Sequence, residues 1–126
     1  MKFQPDTLAG VNSITRYDGD NLRVNADLHT TSVLVPWVGQ ARAWDVVDVA
    51  GLTQAHFDAL LEFDPEVVIF GSGAKLKFVS PALYRSLIAR RIGIETMDSG
   101  AACRTYTVLA NEGRRVVAAI LLAPAA

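Results

Sequence analysis

"EVVIFGSG", residues 66–73, decides the fold: one acid, four apolar residues without interruption, then two glycines around a serine. A strand with one face in water alternates apolar and polar residues, whereas an unbroken run predicts a strand buried on both faces. The glycines mark where it ends. Beyond them the chain has the punctuation of an α/β domain. "SPALYRSLIARR", residues 80–91, predicts a helix with Ser80 as N-cap and Pro81 in the first helical position, where proline's missing N–H is no loss. Leu83, Leu87 and Ile88 share one face of it, and Arg90-Arg91 fall near the negative end of its dipole. "IGIETM" is the next strand, residues 99–111 the next helix with Asp98 or Ser99 as its cap, and "RRVVAAILL" the last strand. Upstream, "TQAHFDALLEF" opens on Thr53 as N-cap. It carries Phe57, Leu60 and Leu61 at helical spacing, and Asp64-Pro65 ends it.

The first half is of another kind. Residues 12–25 read as two short strands around a turn at Asp18-Gly19-Asp20-Asn21, residue types that tolerate positive φ. "LHTTSVLVPW" continues as a strand that stops at Pro36, and "ARAWDVVDV" is a fourth extended stretch. Short connections predict a largely antiparallel β-meander. Strands alternating with helices over residues 53–122 argue for a parallel or mixed sheet. The expectation is one α/β domain over residues 1–126 with an added β layer.

Composition narrows the function more by exclusion than by indication. A formal net charge of −1 over 126 residues gives no reason to expect nucleic acid or an anionic membrane as partner. Residues 1–60 carry four Lys/Arg against seven Asp/Glu, and residues 61–126 eight against six, so basic surface belongs to the second half. One cysteine excludes an intrachain disulfide and a multi-cysteine metal site. His29 and His56 have no zinc-binding spacing, so no metal and no cofactor is expected. "MKFQPDTLAG" lacks the apolar core of a secretory leader, and "VVAAILLAPAA" is too short to cross a bilayer as a helix. These features predict a cytoplasmic, reduced protein without a transmembrane segment.

In α/β sheets, ligands favour the crevice beyond the carboxyl ends of the parallel strands. Two glycine-containing loops are expected there. Gly71, Ser72, Gly73, Lys75 and Lys77 come from "GSGAKLKF", and Asp98, Ser99 and Arg104 from "MDSGAACR". Backbone donors at two helix starts beside basic side chains suit a small anionic ligand. The spacing matches neither GxGxxG nor GxxxxGK followed by Ser or Thr, and the glycines and lysines also fit a plain turn with solvated cations. Cys103 has two readings. Near a helix start it is a candidate nucleophile. It also borders the stripe of Ala102, Tyr106 and Leu109, where it acts as a small apolar side chain. The second fits better, because no histidine is near it in sequence.

The longest signal is "IETMDSGAACRTYTVLANEGRRVVAAIL", residues 94–121. It resembles the C-terminal signature of the Mth-type domain family. The match runs through Met97, Asp98, Ser99, Ala101, Ala102, Arg104, Thr105, Tyr106, Leu109, Glu112, Arg114, Val116, Ala118 and Ala119. Thr107 stands where the family usually has Asn. "VVIFGSGAKLKFVSP" and Trp44 extend the likeness to about residues 10–124. The resemblance implies three layers around a central mixed sheet. It brings no catalytic set, and points instead to a binding or assembly role, with mitochondrial relatives in respiratory complex I assembly acting through protein partners.

Two functions stand side by side at this point. One is a non-enzymatic interaction protein, with Trp37 or the early β layer as a contact surface and self-association open to it. The other is a small enzyme or ligand-binding protein holding an anion between Lys77 and Arg104, with Cys103 or Ser99 as its candidate nucleophile.

Overall fold

The computed structural model describes residues 10–123. Residues 1–9 of the N-terminal stretch read for a leader and the last three residues of the final apolar run lie outside the described residues.

A three-stranded antiparallel sheet comes first, β1 (Ile14–Tyr17), β2 (Leu22–Val24) and β3 (Asp27–His29), in the order β1-β2-β3. Its first turn is the expected one. The Asp18 N–H donates to Asn21 O at 2.9 Å, and Gly19 takes a φ of 85°. The central sheet is formed by β4 (Val33–Val35), β5 (Arg42–Ala43), β6 (Val67–Gly71), β7 (Gly93–Met97) and β8 (Val116–Ile120), in the order β5-β4-β8-β6-β7. Strands β6–β7 and β6–β8 are parallel, and β4–β8 and β4–β5 antiparallel, so the sheet is mixed.

Every residue of β6 and β8 is buried, and their alternation sorts the core. Val67, Ile69, Val116, Ala118 and Ile120 face a layer made of α3 (Ser99–Asn111) and the small sheet. Val68, Phe70, Val117 and Ala119 face α1 (Gln54–Asp58), α2 (Arg85–Ala89) and Trp44. Three layers result, as the resemblance implied. The crossover from β6 to β7 carries α2 on one face. The return from β7 to β8 runs in the opposite direction along the sheet and carries α3 on the other face, which keeps both crossovers of one hand.

Four expected elements are modified. The helix over 53–63 is α only to Asp58 and tightens to 3-10 over Ala59–Phe63. Asp64 closes it in the left-handed region and donates its N–H to Leu61 O at 3.1 Å, because Pro65 has no N–H to offer. The helix over 80–91 opens as 3-10 at Pro81–Tyr84, where Arg85 Nε takes the Ala82 carbonyl at 3.1 Å, and becomes α only at Arg85. "LHTTSVLVPW" divides into β3 and β4, one in each sheet. Ser32 holds that corner, its hydroxyl accepting the Leu122 N–H at 3.0 Å and its carbonyl the Trp44 N–H at 2.8 Å. "ARAWDVVDV" pairs only at Arg42–Ala43. Beyond it Val46 N bonds back to Trp44 O at 2.8 Å, which turns the chain and buries the indole against Phe57 and Phe70.

Candidate functional site

Strands β6 and β7 end side by side, and the chain leaves them for opposite faces of the sheet. That is the place where α/β folds open a crevice. Here it is closed by hydrogen bonds. The Ser72 N–H donates to Met97 O at 2.9 Å, and the Ser99 N–H to Gly73 O at 2.8 Å. The Ser99 hydroxyl accepts from Gly73 N at 2.9 Å and donates to Leu121 O at 2.7 Å, with 0% of the residue exposed. Gly73 needs its φ of 110° to reach this partner. The approach is tight: a Cβ on Gly71 would lie 2.9 Å from both Ser99 Cα and Ser99 Oγ.

The other polar residues of the two loops are engaged in the same way. Ser72 Oγ accepts from Lys77 N at 2.9 Å and donates to Lys75 O at 2.8 Å, while Asp98 caps α3 by accepting from Ala101 N at 2.9 Å. Both serine hydroxyls have their capacity used within the fold.

The basic side chains divide. Lys75 and Lys77 line a groove of about 360 Å³ with Val47, Val49, Gly73 and Leu122. Arg104 lines a separate cleft of about 410 Å³ between β1 and α3, with Ile14, Arg16, Tyr17, Gly100 and Cys103. The loops meet through their backbones and serines, and their cations face different recesses. Among the described residues no cluster of His, Cys, Asp and Glu could hold a metal, and no helix is long and apolar enough to cross a membrane.

Cys103 is 5% exposed, and burial pushes its thiol up to about 12, against a slight opposing pull from Arg104. At neutral pH it is a protonated apolar group at the floor of the cleft. Neither histidine serves it as a base. His56 Nδ1 accepts the Thr53 N–H at 3.0 Å and Nε2 bonds Asp45 O at 2.8 Å, beside Trp44 on the other face of the sheet. His29 lines a recess with Asn12 and Asp27. The raised thiol makes stability depend on pH. An unfolded thiol ionises near the ordinary value of 9.0, while the folded one keeps its proton to about 12. Its stabilising effect is therefore complete below pH 9. Above it, stability falls by about 1.4 kcal/mol per pH unit, since only the unfolded chain has released this proton. Urea melts at pH 8, 9.5 and 10.5 should show this slope in the native chain and a shallower one in Cys103→Ala.

Sequence reasoning missed a buried polar network. The Tyr106 hydroxyl donates to Pro36 O at 2.9 Å and lies 3.2 Å from Asn12 O. Asn12 Nδ2 donates to Pro36 O and Gly39 O, and Trp37 Nε1 donates to Ala110 O at 3.2 Å. The Tyr106 and Trp37 bonds join residues 70 to 94 apart in the chain, and no local pattern announces them. The alternation Lys75-Leu76-Lys77-Phe78 was visible, but that its apolar members stay outside was not. Leu76 is 51% and Phe78 73% exposed.

Known proteins share this architecture. The chain is 30% identical over 83 residues to bovine (Bos taurus) NADH dehydrogenase (ubiquinone) 1 alpha subcomplex assembly factor 3, covering 64% of the chain and 45% of that protein. It is 28% identical over 74 residues to the 13 kDa major membrane protein of Francisella tularensis, covering 59% of the chain and 60% of that protein. The match thus spans about half the length of these curated relatives. A crystal structure of a Bordetella parapertussis protein superposes with a TM-score of 0.85 at 32% identity, over 92% of this chain and 99% of that one. The solution structure of a Bordetella pertussis protein described as a Mth938-like domain gives 0.79 at 28%, over 98% and 94%. With its Mth938-like fold, and with residues 14–121 matching the family described as protein of unknown function (DUF498/DUF598), the chain belongs to that family.

Proposed function

We propose that the chain is a non-enzymatic interaction protein of the assembly-factor kind, which acts by contact with another protein. The observation that carries this reading is the loop after β6, where Leu76 and Phe78 stand in solvent, alternating in sequence with Lys75 and Lys77. Exposed apolar side chains that form a contiguous patch rimmed by polar groups mark contact surfaces. The engagement of Ser72 and Ser99 in the fold, and the raised thiol of Cys103, support a surface function over a nucleophilic one. The names of relatives such as the bovine assembly factor support a respiratory complex as the thing assembled. Cytoplasmic residence belongs to the same proposal, and cell fractionation tests it.

Affinity capture from the native cell should recover a stable partner with the native chain and lose it with Leu76→Ser/Phe78→Ser. Both side chains are exposed, so the folding stability should stay within the change typical of surface substitutions, about 0.5 kcal/mol. Recovery of the same partner by the double variant would refute the reading, as would an empty native bait.

A second reading keeps a small anion at the groove beside Lys75 and Lys77, supported by the 360 Å³ recess and the Gly73 turn at its wall. A thermal shift with phosphate or carboxylate that disappears in Lys77→Ala would favour it.

A further inference from the structure

The cleft between β1 and α3 has features that the loop after β6 lacks. One wall is a strand at the margin of its sheet, since among the described residues β1 pairs with β2 alone. The other wall is a long helix, presenting Gly100 and Arg104. Between them the floor is apolar, formed by Ile14 and the protonated Cys103. The Tyr17 ring lies close enough to Gly100 that a Cβ there would be 3.4 Å from it, which keeps the end near the helix start narrow. The rim is cationic. Arg16 is compensated by Asp18, with Nε 2.8 Å from its carboxylate, whereas exposed Arg104 has no salt bridge among the described residues. An edge strand facing a helix across an apolar floor is the geometry into which extended peptides add as an extra strand. Main-chain bonds then supply affinity, and alternate side chains supply specificity.

We propose that this cleft receives an extended, acidic segment of a partner protein, laid along β1 as a fourth strand of the small sheet with a carboxylate against Arg104. The four residues of β1 offer about 14 Å of edge, enough for a segment of four or five residues. Apolar side chains at alternate positions of the segment point to Ile14 and Cys103, and the acidic ones between them point to the rim. The uncompensated charge of Arg104 selects for acid over base. The inference rests on the reading of the chain as a protein-interaction module, but it concerns a surface separate from Leu76 and Phe78.

The test is an amide NMR titration of the full chain with the blocked pentapeptide Val-Glu-Val-Glu-Val. Shifts are expected in residues 14–17 and 100–107. The Val-Lys-Val-Lys-Val counterpart should bind about tenfold more weakly, and Arg104→Glu should reverse that order while leaving the melting temperature unchanged. Of two versions N-methylated at alternate residues, the one whose amides face β1 should lose binding. No shift, shifts elsewhere, equal binding of the lysine peptide, or unchanged preference in Arg104→Glu would each overturn the proposal. So would two N-methylated peptides that bind like the parent, since strand addition needs those amides. Octanoate reaching the cleft where the peptide does not would replace the proposal with a small-anion site. Leu76→Ser/Phe78→Ser should bind the pentapeptide as the native chain does, so failure here and failure of the capture experiment are separate results.

Discussion

Gly71→Ala should lose about 3 kcal/mol of folding stability and lower the melting temperature by roughly 10 °C, although it adds a single methyl group. Gly71 ends β6 under the first turn of α3. The added carbon would sit 2.9 Å from Ser99 Cα and 3.1 Å from Ala102 Cβ. One of these atoms is main chain and the other is fixed to it, so the helix itself must move. Its movement pulls Ser99 from Leu121 O and Gly73 N, and those buried groups lose partners that water cannot replace. Adding Ser99→Ala removes the crowding hydroxyl but leaves the Cα in place, so the double variant should melt no higher than Gly71→Ala. A Gly71→Ala protein that melts with the native one in calorimetry would show that α3 has room to withdraw.

Tyr106→Ala should be the costliest of the core truncations around α3, at about 4 kcal/mol by urea denaturation. The residue is 0% exposed, and its ring packs in the cluster of Ile69, Ala118 and Val35. Tyr106→Phe separates ring from hydroxyl. It removes the donor from Pro36 O and Asn12 O, but Pro36 O keeps a second donor in Asn12 Nδ2 at 2.9 Å. The phenylalanine variant should therefore lose only about 1 kcal/mol. If it lost as much as the alanine variant, the hydroxyl network rather than the packed ring would be what holds α3 to residues 12–39.

What the sequence discloses depends on the range over which the determining interactions act. The burial of β6 on both faces comes from its apolar run, the cap of α3 from Asp98, and the β1–β2 turn from Asp18-Gly19. All are local, and all are seen. The change from α to 3-10 at Ala59–Phe63 is also local, but it is set by the need to close the helix before Pro65, which side-chain periodicity does not register. The division of residues 28–37 between two sheets is not local at all. Ser32 turns that corner because Leu122, 90 residues away, donates to its hydroxyl. The candidate site shows the same limit. That the loops at Gly71 and Ser99 meet is legible, since both end neighbouring parallel strands. That Arg104 looks away from Lys77 is not, because it depends on α3 and the β6 loop leaving for opposite faces of the sheet.

The placement of β8 bears on how the protein is made. Among the described strands it is the last to be synthesised, yet it lies between β4 and β6 at the middle of the central sheet. Before residues 116–120 emerge, β4 and β6 have no shared neighbour, and Val33, Val35, Ile69 and Phe70 have no second strand to cover their flanks. A nascent chain halted short of this point would carry two apolar strands each with one open edge, a ready template for pairing with another chain. Closure of the sheet by an insertion across so much of the sequence is also a slow, late event for a domain of this size. Arrested synthesis is therefore a condition under which this fold leaves two apolar strand edges open to aggregation.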